Sequence, residues 1–183
     1  MSRMTRWLVA GLGLAVVIPV MANDGPRTQE RMQMSASDNG ERAVAIFAGG
    51  CFWCMEPPYD KLDGVYSTAS GYIGGRVDNP TYKEVASGGT GHAEAVRIEY
   101  DPERISYTGL LDTFWRNIDP LAVNRQFCDV GDQYRSAIFY LDEEQKRLAE
   151  VSKRKLEASD RFDRPIATTI EPAGEFYSAE DYH

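Results

Sequence analysis

Val44 to Ala48 is a short, wholly apolar run that ends at Gly49-Gly50-Cys51, which predicts a strand handing over to a helix at the cysteine. Pro57 and Pro58 limit the interior of that helix or start a second helical segment. Gly64 to Ile73 alternates loosely and closes on Gly74-Gly75, the pattern of a second strand and a glycine-controlled turn. Asn79 followed by Pro80 reads as an N-cap and first helical position, and the short helix they open stops at Gly88-Gly89.

From His92 to Tyr100 the alternation is strict. Ala93, Ala95 and Arg97 fall on one face, and His92, Glu94, Val96, Ile98 and Tyr100 on the other, apolar one. A carboxyl sharing a face with Val96, Ile98 and Tyr100 is expected to be partly buried, which raises its pKa and lets it hold a proton near neutrality. Glu94 is thereby a candidate acid.

Leu110, Leu111, Phe114, Trp115 and Ile118 recur at helical spacing between Ser106 and Ile118, with Asp119-Pro120 as the stop, and form a core stripe. Ser136 to Leu141 is another apolar strand. Asp142 to Ala158 is a charged helix whose buried ridge is Leu148, Val151 and Leu156, and Ile166 to Ile170 is a final strand. Leu121 to Arg135 has no period, and a loop of that length in a domain is expected to be functional; it holds Cys128, Asp129, Gly131 and Tyr134. Strands and helices that alternate in this way suggest an α+β domain in two layers.

Ahead of these elements, Arg3 and Arg6 precede an apolar stretch from Trp7 to Ala22 with small residues at its end. This has the form of a signal peptide over residues 1–22, cleaved after Ala22, and predicts an exported, periplasmic protein. An uncleaved membrane anchor is the competing reading, with the polar segment over residues 23–42 as its tether. Without apolar periodicity, that segment is expected to be a disordered linker in which Met32 and Met34 are exposed. The folded domain then runs over residues 43–183, long enough to bury a core.

The net charge of −8 makes nucleic acid a poor partner, and losing Arg3 and Arg6 with the signal takes −8 to −10. A monomer is expected. Three cysteines are an odd count for an exported chain, and two lie in one tetrapeptide, Cys51-Phe52-Trp53-Cys54, which suggests chemistry rather than stapling. A cysteine entering the first turn of a helix meets free N–H groups and a positive dipole end, both of which favour thiolate. Phe52 and Trp53 wall a small apolar pocket beside it or, on the plainer view, fill the core beside an inert thiol. Cys54 lies one turn on, near enough to pair with Cys51 if that turn loosens.

His92-Ala93-Glu94 with Cys-x-x-Cys has the parts of a zinc deaminase site. In that signature His-x-Glu comes first and a proline precedes the first cysteine, whereas here the order is reversed and Gly50 precedes Cys51. No metal site is expected. A Cys–His hydrolase would need His92 as base, yet a lone histidine beside a glycine turn is more often structural. Tyr82 and Tyr134 become catalytic candidates only if they converge on Cys51.

Gly49-Gly50-Cys51-Phe52-Trp53, Gly71-Tyr72-Ile73-Gly74-Gly75, Asn79-Pro80-Thr81-Tyr82, Gly91-His92-Ala93-Glu94, Phe114-Trp115 and the run Asp129 to Ile138 together resemble the peptide methionine sulfoxide reductase A family, from about Val44 to His183. The resemblance implies an α+β two-layer sandwich with a ferredoxin-like βαββαβ core and a mixed, mainly antiparallel sheet. It also implies reduction of the S epimer of methionine sulfoxide, free or in proteins. Cys51 is then the nucleophile, Phe52 and Trp53 the pocket for the substrate methyl group, and Glu94 the acid. Tyr82 and Tyr134 are hydrogen-bond donors and Asp129 a further pocket residue. No bound cofactor is implied, only an external thioredoxin-like thiol reductant. Many relatives carry recycling cysteines in a tail, while this chain ends at Glu180-Asp181-Tyr182-His183. The tail therefore reads as short or missing, and Cys54, ahead of Cys128, is expected to resolve the oxidised Cys51. A thiol-disulfide oxidoreductase using Cys51 and Cys54, and a non-catalytic module that binds oxidised methionine, are the rival readings.

Overall fold

A computed structural model of the chain describes residues 42–183, which fall within one unit of the chain. The signal and linker readings over residues 1–41 lie outside the described residues. The elements run β1 (Ala43–Gly49), α1 (Phe52–Asp60), β2 (Val65–Ile73), α2 (Tyr82–Ala86), β3 (Ala93–Tyr100), α3 (Tyr107–Arg116), β4 (Arg125–Gln126), β5 (Asp129–Val130), a 3-10 turn (Asp132–Tyr134), β6 (Ser136–Tyr140), α4 (Glu143–Glu157), β7 (Thr169–Pro172) and β8 (Tyr177–Ser178).

The main sheet has the order β7-β6-β1-β3-β2-β8. Its pairs are antiparallel except β6 with β7. Taken alone, β1, α1, β2, β3, α3 and β6 form a βαββαβ unit with the strand order β6-β1-β3-β2, the ferredoxin-like arrangement. α4 returns the chain to lay β7 parallel beside β6, the connection a parallel neighbour requires.

β1 is apolar at every position because it is central and covered on both faces. Ala45 and Phe47 face α1, α3 and α4 in a cluster with Phe52, Met55, Tyr59, Val96, Ile98, Leu110, Leu111, Phe114 and Ile138. Ile46 and Ala48 join Ile73, Ala93, Ala95, Ala137 and Phe139 on the opposite face. Among the described residues no helix covers that second face; Ala173 and Phe176, in the connection from β7 to β8, pack on it. Each large side chain fully buried in this way contributes about 1.5–3 kcal/mol.

Several boundaries differ from those read in the sequence. The N-cap of α2 is Thr81, not Asn79: its hydroxyl accepts from the Glu84 amide while the Glu84 carboxylate accepts from the Thr81 amide. That reciprocal capping box outcompetes an Asn-Pro start, and Asn79 takes a left-handed conformation ahead of it. The last long strand begins at Thr169 rather than Ile166, because the Ala167 amide donates to Pro120 and the Thr168 carbonyl accepts from Lys153, which satisfies these groups outside the sheet. The short edge strand β8 has no apolar run to announce it. On α4 the buried positions are Gln145 and Ala149, and Leu148, Val151 and Leu156 are only half-buried, lining an open groove against Trp115 of α3. Gln145 is drawn inward because its amide donates to the Val44 carbonyl and accepts from the Leu141 N–H.

Candidate active site

The turn between β1 and α1 fixes the position of Cys51. Gly50 has φ +94°, and a Cβ built there would lie 2.6 Å from Gln126 Cβ; a residue with neither strain nor bulk is required. Gln126, in β4, is buried and clamps Asp119 by accepting from its amide and donating to its carbonyl. The loop from Leu121 to Arg135 is thus docked on the turn that carries the cysteine. It is a small β4–β5 hairpin followed by the 3-10 turn, not a periodless coil.

Cys51 is the N-cap residue of α1 and its side chain caps nothing. Glu94 of β3 supplies the cap instead: Glu94 Oε2 accepts from the Phe52 amide at 3.2 Å. The Glu94 side chain lies on the helix-covered face, as the alternation of β3 requires, and the residue is 1% exposed. Burial pushes its pKa up to about 7, with the Phe52 amide opposing the shift and the charge of Asp129 adding to it.

The expectation of a Cys51 thiolate is corrected. Burial raises the thiol pKa, the amides of Trp53 and Cys54 lower it by less, and the charges of Glu94 and Cys54 raise it further. Helix-end donors are present as read from the sequence, but desolvation of a half-buried sulfur beside a carboxyl outweighs them. In the free protein Cys51 is therefore held as a thiol at neutral pH.

Tyr82 and Tyr134 both lie within electrostatic reach of this pair. Burial raises the Tyr82 pKa, and Glu94 and then Cys51 raise it further. Tyr134, at the end of the 3-10 turn, is pushed up to about 12 by burial and then by Glu94, with Tyr82, Asp129 and Cys51 contributing. Both phenols keep their protons and can donate. Asp129 is half-buried at the start of β5 and acts on Glu94 and on both tyrosines.

Phe52 is buried and Trp53 is 55% exposed, their ring centroids 6.3 Å apart. Phe52 thus belongs to the core as well as to the site, and Trp53 forms an open wall. All three cysteines are free; Cys54 is exposed one turn after Cys51, and Cys128 is exposed in the turn between β4 and β5.

His92 stands just ahead of β3 rather than in it. Its Nδ1 accepts from the Gly75 amide at 3.1 Å and its Nε2 lies 2.8 Å from the Val77 carbonyl. An amide on one nitrogen and a carbonyl on the other fix the neutral Nε2–H tautomer and leave no lone pair free for base catalysis. This histidine is structural. Among the described residues no group of three or more His, Cys, Asp or Glu side chains is placed to hold a metal ion.

Sequence reading missed Gln126, Tyr72, Glu180 and His183. Tyr72 of β2 sits opposite Glu94 in the sheet register and donates to Glu180, while the His183 ring packs on Phe52, Trp53 and Tyr82. Gln126, Glu180 and His183 lie in no periodic pattern and Tyr72 only in the loose alternation of β2, and long-range packing is what brings them to the site.

The peptide methionine sulfoxide reductase family model matches residues 43–183. The chain is 60% identical over 139 residues to the peptide methionine sulfoxide reductase MsrA of Streptococcus agalactiae serotype III (strain NEM316), covering 76% of this chain and 82% of that protein. Among solved structures it is similar to the reduced form of Mxr1 from Saccharomyces cerevisiae, at 35% identity and a TM-score of 0.71 over 80% of this chain and 84% of that one. It is also similar to Mxr1 in complex with Trx2, at 28% identity and a TM-score of 0.55 over 79% and 85% of the two chains. Sheet order, site geometry and these likenesses agree, and the chain belongs to the peptide methionine sulfoxide reductase A family.

Proposed function

We propose that the protein reduces the S epimer of methionine sulfoxide, free or within proteins, at Cys51. The observation that carries the reading is the meeting of one thiol with a buried carboxyl of pKa about 7 and two protonated phenols. A sulfoxide oxygen leaves only once it is protonated or strongly hydrogen-bonded, and this arrangement supplies one acid and two donors. The substrate methyl group lies against Phe52 and Trp53, and its oxygen faces Glu94, Tyr82 and Tyr134.

As the Cys51 sulfur attacks the substrate sulfur, Glu94 gives its proton to the oxygen and the thiol proton replaces it. Oxygen passes to Cys51, which becomes a sulfenic acid, and methionine departs as the reduced thioether. The Cys54 thiol condenses with the sulfenic acid, forming the S–S bond and releasing water; its place one helical turn after Cys51 favours Cys54 over Cys128. An external thioredoxin-like dithiol then reduces the disulfide by exchange and is itself oxidised; the complex of Mxr1 with Trx2 supports a reductant of this kind. Export to the periplasm remains part of the proposal on the strength of residues 1–22, and fractionation of cells expressing the full chain tests it.

The test of the activity is turnover of each epimer of a methionine sulfoxide peptide with dithiothreitol. The S epimer is reduced and the R epimer is not, Cys51→Ser abolishes turnover, and mass spectrometry after one equivalent of substrate finds Cys51 linked to Cys54. Unchanged turnover in Cys51→Ser, or no turnover of the S epimer by the wild type, refutes the reading. A disulfide reductase working through Cys51 and Cys54 alone would be indifferent to Glu94→Gln.

A further inference from the structure

Glu180, two residues beyond β8, reaches two elements of the site at once. Its Oε2 accepts from the Tyr72 hydroxyl at 3.0 Å, and its Oε1 from the Tyr82 backbone N–H at 2.9 Å. Oε2 also lies 3.7 Å from His183 Nε2. The His183 ring packs at centroid separations of 5.0, 5.5 and 4.6 Å from Phe52, Trp53 and Tyr82, and the His183 carbonyl accepts from the Trp53 indole at 3.1 Å. The imidazole is 4% exposed, and neither of its nitrogens has a hydrogen-bond partner.

Tyr82 is the first residue of α2, a helix of only five residues. Its N–H is among those a helix cannot satisfy internally, and so short a helix has little stiffness of its own. The capping box between Thr81 and Glu84 ties the helix to itself. Of these hydrogen bonds, the one from Tyr82 to Glu180 spans 98 residues of sequence and ties α2 to the sheet edge. The second oxygen takes the proton of the Tyr72 hydroxyl, the phenol paired in register with Glu94. One carboxylate therefore sets where the Tyr82 side chain leaves the backbone, engages Tyr72, and lies beside the imidazole that packs on the aromatic wall.

We propose that Glu180 is a positioning residue for sulfoxide reduction, aligning Tyr82 by holding its backbone N–H to the sheet edge. This rests on the reading of the site given above. Misplacing a reacting group by an ångström lowers rates by up to about 100-fold, so Glu180→Ala is expected to lower kcat at saturating S-epimer peptide by about 10-fold or more. Glu180→Gln, which keeps one acceptor oxygen but turns a donor toward the Tyr82 amide or the Tyr72 hydroxyl, is expected to fall between Ala and the wild type.

The decisive measurement is a cycle with Tyr82→Phe, in the full chain, with thermal melting to establish that each variant is folded. If Glu180 acts through the Tyr82 hydroxyl, its removal from the Tyr82→Phe background lowers kcat by no more than about 2-fold, a large non-additivity. Equal losses in both backgrounds, or no loss in either, overturn the proposal. Should Glu180→Ala melt below the assay temperature, the same cycle is run with Glu180→Gln and read by the same criteria. A wild type that leaves the S epimer untouched overturns the activity reading itself; an active wild type with additive variants overturns only the role of Glu180.

Discussion

Glu94→Gln isolates the buried carboxyl. A carboxyl whose pKa rises from the ordinary 4.5 to about 7 on folding binds its proton more tightly in the native than in the unfolded chain. The stabilisation is fully present below pH 4.5 and is lost as pH rises through 7. At about 1.4 kcal/mol for each pH unit, the loss is about 3 kcal/mol between pH 4 and pH 8. Other carboxyls titrate in the same range, so the quantity to measure is the stability difference between wild type and Glu94→Gln by urea unfolding under reducing conditions. The amide side chain keeps an acceptor for the Phe52 N–H and carries no charge to desolvate. The variant should gain on the wild type by about 3 kcal/mol from pH 4 to pH 8, or about 10 °C in melting temperature for a domain of this size. The single-turnover rate of the wild type should fall above pH 7 as the acid loses its proton, whereas the variant should be slow and nearly flat. A stability difference that stays constant across this range would refute the claim that Glu94 is buried and proton-holding.

Gly50→Ala places a Cβ 2.6 Å from Gln126 Cβ at φ +94°; it should destabilise by about 2–4 kcal/mol from strain and overlap together and should lower turnover by displacing the loop that carries Asp129 and Tyr134, as denaturant titration and kinetics would show. His92→Ala leaves the Gly75 amide and the Val77 carbonyl without their partner and should lose about 2–4 kcal/mol, while the pH dependence of turnover keeps its shape; a changed profile would count against a purely structural His92.

Much of the fold was legible because its strands announce themselves. The apolar run of β1 and the alternation of β3 each follow from which faces are covered, and the alternation alone placed Glu94 on the buried face. Residue order along the chain also gave the motif set from Gly49 to Ile138. Long-range competition was not legible. Ala167 and Thr168 were drawn from the sheet by Pro120 and Lys153, and β8 exists only because β2 offers it an edge; the Thr81 cap, by contrast, is local, and its Glu84 partner three residues on stands in the sequence as a capping-box pattern. The thiol state of Cys51 was misread for a related reason: the helix end is a local feature, whereas the burial that overrides it depends on β3 arriving beside the turn. Glu180 and Gln126, both polar and aperiodic, carry no signal until the sheet is assembled.

Met55 is the one methionine among the described residues; it is 1% exposed, and a Cβ on Gly49 would lie 2.6 Å from its Sδ. The thioether is thus sealed directly beneath the turn that presents the reactive sulfur. Peroxide entering the cleft meets Cys51 or the exposed Cys54, whose first oxidation products are reversible, before it reaches a sulfur the fold cannot spare. The folded domain of this enzyme thus holds its own methionine away from the damage it repairs.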